Sequence, residues 1–132
     1  MVVDTSALVA IVLGEPDAES FKDALRAAPP GSLVMSPVTA VEAAMVVEAR
    51  QGPDAARELE GLIATLFLRI EPLDGDQSAA AIEGWRRFGK GRHPASLNLG
   101  DLFPYALART TGEALLFKGD DFARTDVRSA LT

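Results

Sequence analysis

The stretch Val2-Val3-Asp4-Thr5-Ser6-Ala7-Leu8 most narrows what this chain can become. Its β-branched start reads as a strand over residues 2–5. Residues 6–13 then run apolar with no polar face and stop at Gly14, which predicts a first helix packed on both sides. A strand feeding directly into a buried helix opens an α/β architecture, whose ligands bind at the carboxyl ends of the strands. Asp4 stands at such an end. An Asp before Thr-Ser is also a good helix cap, so its meaning depends on whether other acids reach the same rim.

Down the chain the alternation continues. Pro16 suits a helix start, and Phe21, Ala24, Leu25 and Ala28 mark one face of a second helix stopped by Pro29-Pro30-Gly31. Leu33 to Met35 reads as a second strand, with Ser36 as N-cap and Pro37 at the first position of a third helix running to about Arg50. Gly52-Pro53 breaks and restarts the chain, and Ala56, Leu59, Leu62, Ile63 and Leu66 stripe a fourth helix. Phe67 to Ile70 predicts a third strand. Asp74 and Gln77 resemble a capping box opening a fifth helix that ends at Gly89 and Gly91. A further helix is expected from Asn98 to Thr111 with Gly112 closing it, kinked by Pro104 or starting regularly only near Phe103. Ala114 to Phe117 is the last strand, followed by a turn at Lys118-Gly119-Asp120-Asp121-Phe122. Strands alternating with helices predict an α/β fold whose mostly parallel sheet is covered on both faces, with residues 1–132 forming one domain.

Composition restricts the chemistry. Without cysteine and with a single histidine, carboxylates are the only plentiful ligand, so any metal is a hard one held by oxygen. A net charge of −6 argues against indiscriminate nucleic-acid binding and suits a basic protein partner, although local patches override a global sum. No apolar run reaches the length of a membrane span and no charged segment precedes the first strand, so a cytoplasmic protein is expected.

Parallel strands bring Asp4, Asp120 and Asp121 to one rim. Glu42 is flanked by Val38, Thr39, Val41, Met45 and Val46, and a carboxylate against an apolar helix face is desolvated, paired or bound to a cation unless it sits on an exposed flank. Asp101 is a lone acid in Leu-Asn-Leu-Gly-Asp-Leu-Phe, where interaction with the helix dipole is the plainer explanation. Several carboxylates within about 4 to 6 Å repel and raise one another's pKa unless a divalent cation neutralises them. Mg²⁺ or Mn²⁺ suits that role, and such a site activates water for in-line displacement at phosphorus.

Val-Val-Asp-Thr-Ser-Ala-Leu at the start, Ser36 through Glu42, Leu-Asn-Leu-Gly-Asp at 97–101, and Leu-Leu-Phe-Lys-Gly-Asp-Asp-Phe with Thr125-Asp126 together resemble PIN-domain proteins, and more narrowly the VapC-type toxins of bacterial toxin–antitoxin pairs. The resemblance spans nearly the whole chain. It implies a three-layer α/β/α fold and a Mg²⁺- or Mn²⁺-dependent endoribonuclease held inactive by a small antitoxin, and a homodimer is expected. Asp4, Glu42 and Asp101 match the family's first three acids, with Asp4 and Asp101 as main metal ligands. Asp121 is the better match for the fourth acid, with Asp120 the alternative. Thr5 and Ser6 match hydroxyls beside the first acid, orienting a carboxylate or a water or simply capping the helix. Pro104 departs from the residues expected after the third acid.

Arg86, Arg87, Lys90 and Arg92 gather four of the thirteen Lys and Arg in seven residues, a candidate RNA phosphate patch or a solvated helix end complementing the dipole. His93 reads as a bystander. Gly84-x₄-Gly89-Lys90 imitates a phosphate-binding loop, but Gly91 stands where a hydroxyl is required, so a nucleotide site is rejected. Asp4 as nucleophile of an aspartyl-phosphate phosphatase is disfavoured because Ser6 stands where a second Asp is usual. Val41, Met45, Val46, Leu62, Leu66 and Phe67 are core or a partner groove. The rival to a ribonuclease is a weak or inactive interaction module acting only through an antitoxin-like partner.

Overall fold

The computed structural model describes residues 1–131. β1 (Val2–Val3) leads into α1 (Thr5–Val12) and α2 (Ala18–Ala27). β2 (Val34–Met35) precedes α3 (Pro37–Gln51) and α4 (Pro53–Thr65), and β3 (Arg69–Ile70) precedes α5 (Gly75–Phe88). α6 (Leu99–Thr111) returns to β4 (Leu115–Leu116), and a 3₁₀ turn follows at Phe122–Arg124. The strands pair in the order β3-β2-β1-β4, all parallel.

Alternate strand residues face opposite ways, and this divides the core. Val3, Met35 and Leu116 pack with Leu8, Phe21, Val47 and Leu59 of α1 to α4 on one face. Val2, Val34 and Leu115 pack with Phe88, Tyr105 and Leu107 of α5 and α6 on the other. The result is the expected three-layer α/β/α sandwich. No helix among the described residues is long and apolar enough to cross a membrane.

Several boundaries differ from expectation for local reasons. β1 ends before Asp4, whose N–H donates to the Leu116 carbonyl at 3.0 Å while its carboxylate caps α1. α2 starts at Ala18, after a turn in which the Ala18 N–H bonds the Glu15 carbonyl. The third strand begins only at Arg69, because Phe67 adopts φ 51° and its N–H and that of Leu68 turn back to Ala64 and Ile63, closing α4. α4 buries Ala55 and Leu59, with Ala56 half-buried.

The helix α6 runs unbroken through Pro104. A reciprocal capping box between Asn98 and Asp101 fixes its start, and Pro104 through Ala108 are buried, which outweighs the one backbone bond the proline forgoes. The set of Val41, Met45, Val46, Leu62, Leu66 and Phe67 divides. Val46, Leu62 and Leu66 pack against the core, whereas Val41, Met45 and Phe67 are 60%, 66% and 76% exposed.

Candidate active site

The carboxyl ends of β1 and β4 and the starts of α1 and α6 meet at one rim, where helix N-termini favour negative charge. Asp4, Thr5, Ser6, Val9, Glu15, Glu42, Val46, Arg50, Asp101 and Lys118 line a cleft of about 410 Å³ there. Three of the acids singled out from the sequence, Asp4, Glu42 and Asp101, thus share one wall.

Each is held by a local donor. Asp4 Oδ2 accepts from the Ser6 N–H at 3.0 Å and from Ser6 Oγ at 2.5 Å. Because the Lys118 N–H donates to Ser6 Oγ at 2.9 Å, the serine's single hydroxyl proton is committed to Asp4. Thr5 Oγ1 donates to Glu42 Oε1 at 2.5 Å. Asp101 Oδ2 accepts from the Asn98 N–H at 3.0 Å, and the Asp101 N–H donates to Asn98 Oδ1 at 3.0 Å. Thr5 and Ser6 therefore do more than cap α1: their hydroxyls hold two different carboxylates.

Burial and mutual repulsion raise the affinity of this wall for positive charge. Asp4 is 4% exposed, and desolvation pushes its carboxyl above the usual range against the hydrogen bonds from Ser6, with the Glu42 charge adding to the rise. Asp101 is pushed up to about 6, first by desolvation and then by the charges of Asp4, Asp121 and Glu42, against the Asn98 hydrogen bond that favours its ionised form. Asp121 thus belongs to the same electrostatic neighbourhood from the turn after β4. Asp120 and Asp121 are both exposed.

The acids form a wall rather than a closed cage. Among the described residues no three His, Cys, Asp or Glu side chains are gathered in metal-holding geometry. The donor chemistry nonetheless fits a hard divalent cation, since the set is all oxygen, partly desolvated and mutually repelling. Glu42 Oε2 also lies where a side chain on Gly100 would stand, so the backbone ahead of Asp101 makes room for the glutamate.

The basic segment lies outside the residues lining this cleft. Arg87 Nη1 pairs with Asp126 Oδ2 at 3.0 Å, Arg86 with Glu83 at 3.7 Å, and the Arg92 guanidinium sits 4.6 Å from the Trp85 ring centre. Lys90 is exposed. His93 Nδ1 accepts the Ala95 N–H and its ring meets Phe88 edge-on, a structural role. Gly84 faces the Tyr105 ring inside α5, far from a phosphate-binding turn in form. The cations that line the cleft, Arg50 and Lys118, were missed from the sequence. Arg50 follows Glu42 and Val46 at successive four-residue steps on α3, which was the signal available.

The sandwich with acids at the carboxyl rim defines the class: the PIN domain family matches residues 1–128, and the chain belongs to it. Within that family it belongs with the VapC ribonucleases. It is 45% identical over 133 residues to ribonuclease VapC42 of Mycobacterium tuberculosis, covering 100% of both chains. It is 47% identical over 127 residues to ribonuclease VapC of Mycolicibacterium smegmatis, covering 96% of this chain and 97% of the other. Its fold is similar to that of the crystal structure of Mycobacterium tuberculosis VapC20, described as a Sarcin-Ricin loop cleaving toxin, with TM-score 0.77 and 20% identity over 96% of this chain and 95% of that one.

Proposed function

We propose that this VapC-family ribonuclease is the toxin of a toxin–antitoxin pair and cleaves RNA internally at the acidic cleft with Mg²⁺ or Mn²⁺. The observation that carries the reading is the convergence of Asp4, Glu42 and Asp101 on one wall, with Asp121 close enough to raise Asp101's pKa. Asp4 and Asp101 would hold the cation, and Glu42 and Asp121 complete the acidic surround. A divalent cation bound there supplies Lewis-acid polarisation of the phosphodiester and a nucleophilic water at neutral pH.

The protein's own contribution is placement. The Ser6 hydroxyl favours ionised Asp4 and leaves Oδ1 for a ligand, while the Thr5 hydroxyl fixes Glu42 through Oε1 and leaves Oε2. The Asn98 N–H does the same for Asp101 through Oδ2. No histidine lines the cleft, so proton transfer falls to carboxylates and water.

The acidic cleft suits inhibition by a basic segment of a small antitoxin, and the exposed Val41 and Met45 beside Glu42 supply apolar surface for that partner or for a second copy in a homodimer. A cytoplasmic setting follows from this role. The test is cleavage of labelled RNA by purified protein and by Asp4→Asn and Asp101→Asn variants. Loss of cleavage in folded variants supports the reading, and full activity in either one contradicts it.

A further inference from the structure

Six charged side chains line the cleft, and four of them are acids: Asp4, Glu15, Glu42 and Asp101. A polyanionic substrate entering such a cleft needs positive charge that is not already spent. Lys118 is spent, since its Nζ pairs with Glu15 at 3.2 Å and Asp17 at 3.0 Å. Arg50 is exposed and makes no hydrogen bond or ion pair among the described residues.

Its position is set by α3. Glu42, Val46 and Arg50 recur every four residues, so one stripe of the helix carries an acid, an apolar spacer and a cation along the same cleft wall. Eight residues at a helix rise of ~1.5 Å put Arg50 about 12 Å along the axis from Glu42. With its backbone two turns beyond Glu42 on the wall of the same cleft, Arg50 is suited to a phosphate further along an extended strand than the one being cut. We propose that Arg50 is a substrate-positioning residue that contacts a backbone phosphate of the RNA remote from the scissile bond, forming a phosphate subsite at the α3 end of the cleft. The guanidinium presents planar paired donors to phosphate oxygens and keeps its charge at any working pH. The subsite rests on the ribonuclease reading above, and it lies in the acidic cleft itself, which the segment 86–92 does not line.

The test compares wild type, Arg50→Gln and Arg50→Lys on two substrates, a labelled oligoribonucleotide extending well beyond its cut on both sides and a dinucleotide. Arg50 is exposed and makes no hydrogen bond or ion pair among the described residues, and circular dichroism checks that both variants fold. With the long substrate Arg50→Gln is expected to raise KM several-fold, leave kcat within about twofold, and reduce the slope of log(kcat/KM) against log salt by ~0.7, the value for one phosphate on a single strand. Arg50→Lys recovers most of the loss, and the dinucleotide does not distinguish the proteins. Direct binding of the labelled strand, followed by anisotropy in EDTA, shows the same order. A role confined to the helix dipole would shift thermal stability and leave KM and the salt slope unchanged, which overturns the proposal. A fall in kcat at constant KM also overturns it, whereas a wild type that cleaves neither substrate overturns the ribonuclease reading beneath it.

Discussion

Thr5 Oγ1 donates a 2.5 Å hydrogen bond to Glu42 Oε1, tying the first residue of α1 to the middle of α3 across the candidate metal wall. With the Ser6 contact to Asp4, it gives two adjacent hydroxyls two separate carboxylates to orient. Thr5→Val removes the donor at nearly constant volume and is expected to lower kcat on RNA by roughly tenfold and stability by about 1 kcal/mol, whereas Thr5→Ser keeps both. Steady-state cleavage alongside urea unfolding checks this.

Gly100 tests the same geometry from the opposite side. A methyl group there would stand in the space of the Glu42 carboxylate. Ala is the better helix former, so Gly100→Ala is expected to leave the melting temperature unchanged or slightly raised while depressing cleavage. An active Gly100→Ala enzyme would show that Glu42 tolerates displacement.

The raised pKa of Asp101 sets a pH dependence. Its proton is held up to about 6 in the folded protein, while the unfolded chain releases it near 3.8. The native state therefore binds more protons between those values, and metal-free protein loses stability as pH rises through that window. Asp101→Asn removes this contribution, so in EDTA the variant is expected to gain on wild type from pH 4 to pH 7. Denaturant midpoints at four pH values measure the difference, and parallel curves for the two proteins would contradict the assigned shift.

On the far face, Tyr105 is fixed by its hydroxyl and its ring. The hydroxyl donates to Asp126 Oδ1 at 3.0 Å, and burial followed by that hydrogen bond pushes its pKa up to about 12. A Cβ on Gly84 would come within 2.6 Å of the ring. Gly84→Ala is expected to destabilise by about 1 to 3 kcal/mol through overpacking, against about 1 kcal/mol for Tyr105→Phe. Thermal melts separate the two, and because neither Gly84 nor Tyr105 lines the acidic cleft, both variants are expected to retain cleavage.

The parts of the fold set by local chemistry were legible in the sequence. Ser36 and Pro37 open α3 as expected, and α6 lies between Asn98 and Gly112, whose φ of 73° suits glycine. Phe67 was not legible, because an aromatic residue gives no local sign of a left-handed backbone. Asp4, Asp101 and Asp121 could be found one by one since each follows a strand or opens a helix, and Glu42 stood out as a carboxylate among apolar neighbours on α3. The cleft cations were harder to find: Arg50 shares a stripe of α3 with Glu42, but nothing local joins it to Lys118, and the two meet only where the folded chain lines one cleft. Charge density drew attention to residues 86–92, whereas the structure engages Arg87 with Asp126 and stacks Arg92 on Trp85.

The central claim is that Asp4 and Asp101 hold a divalent cation for RNA cleavage. Calorimetric titration of Mn²⁺ at pH 7 into wild type and into folded Asp4→Asn and Asp101→Asn proteins tests it most directly. The expected result is a saturable site in wild type that is lost or strongly weakened in both variants. Equal saturable binding in all three proteins, or no saturable site in wild type, would contradict it.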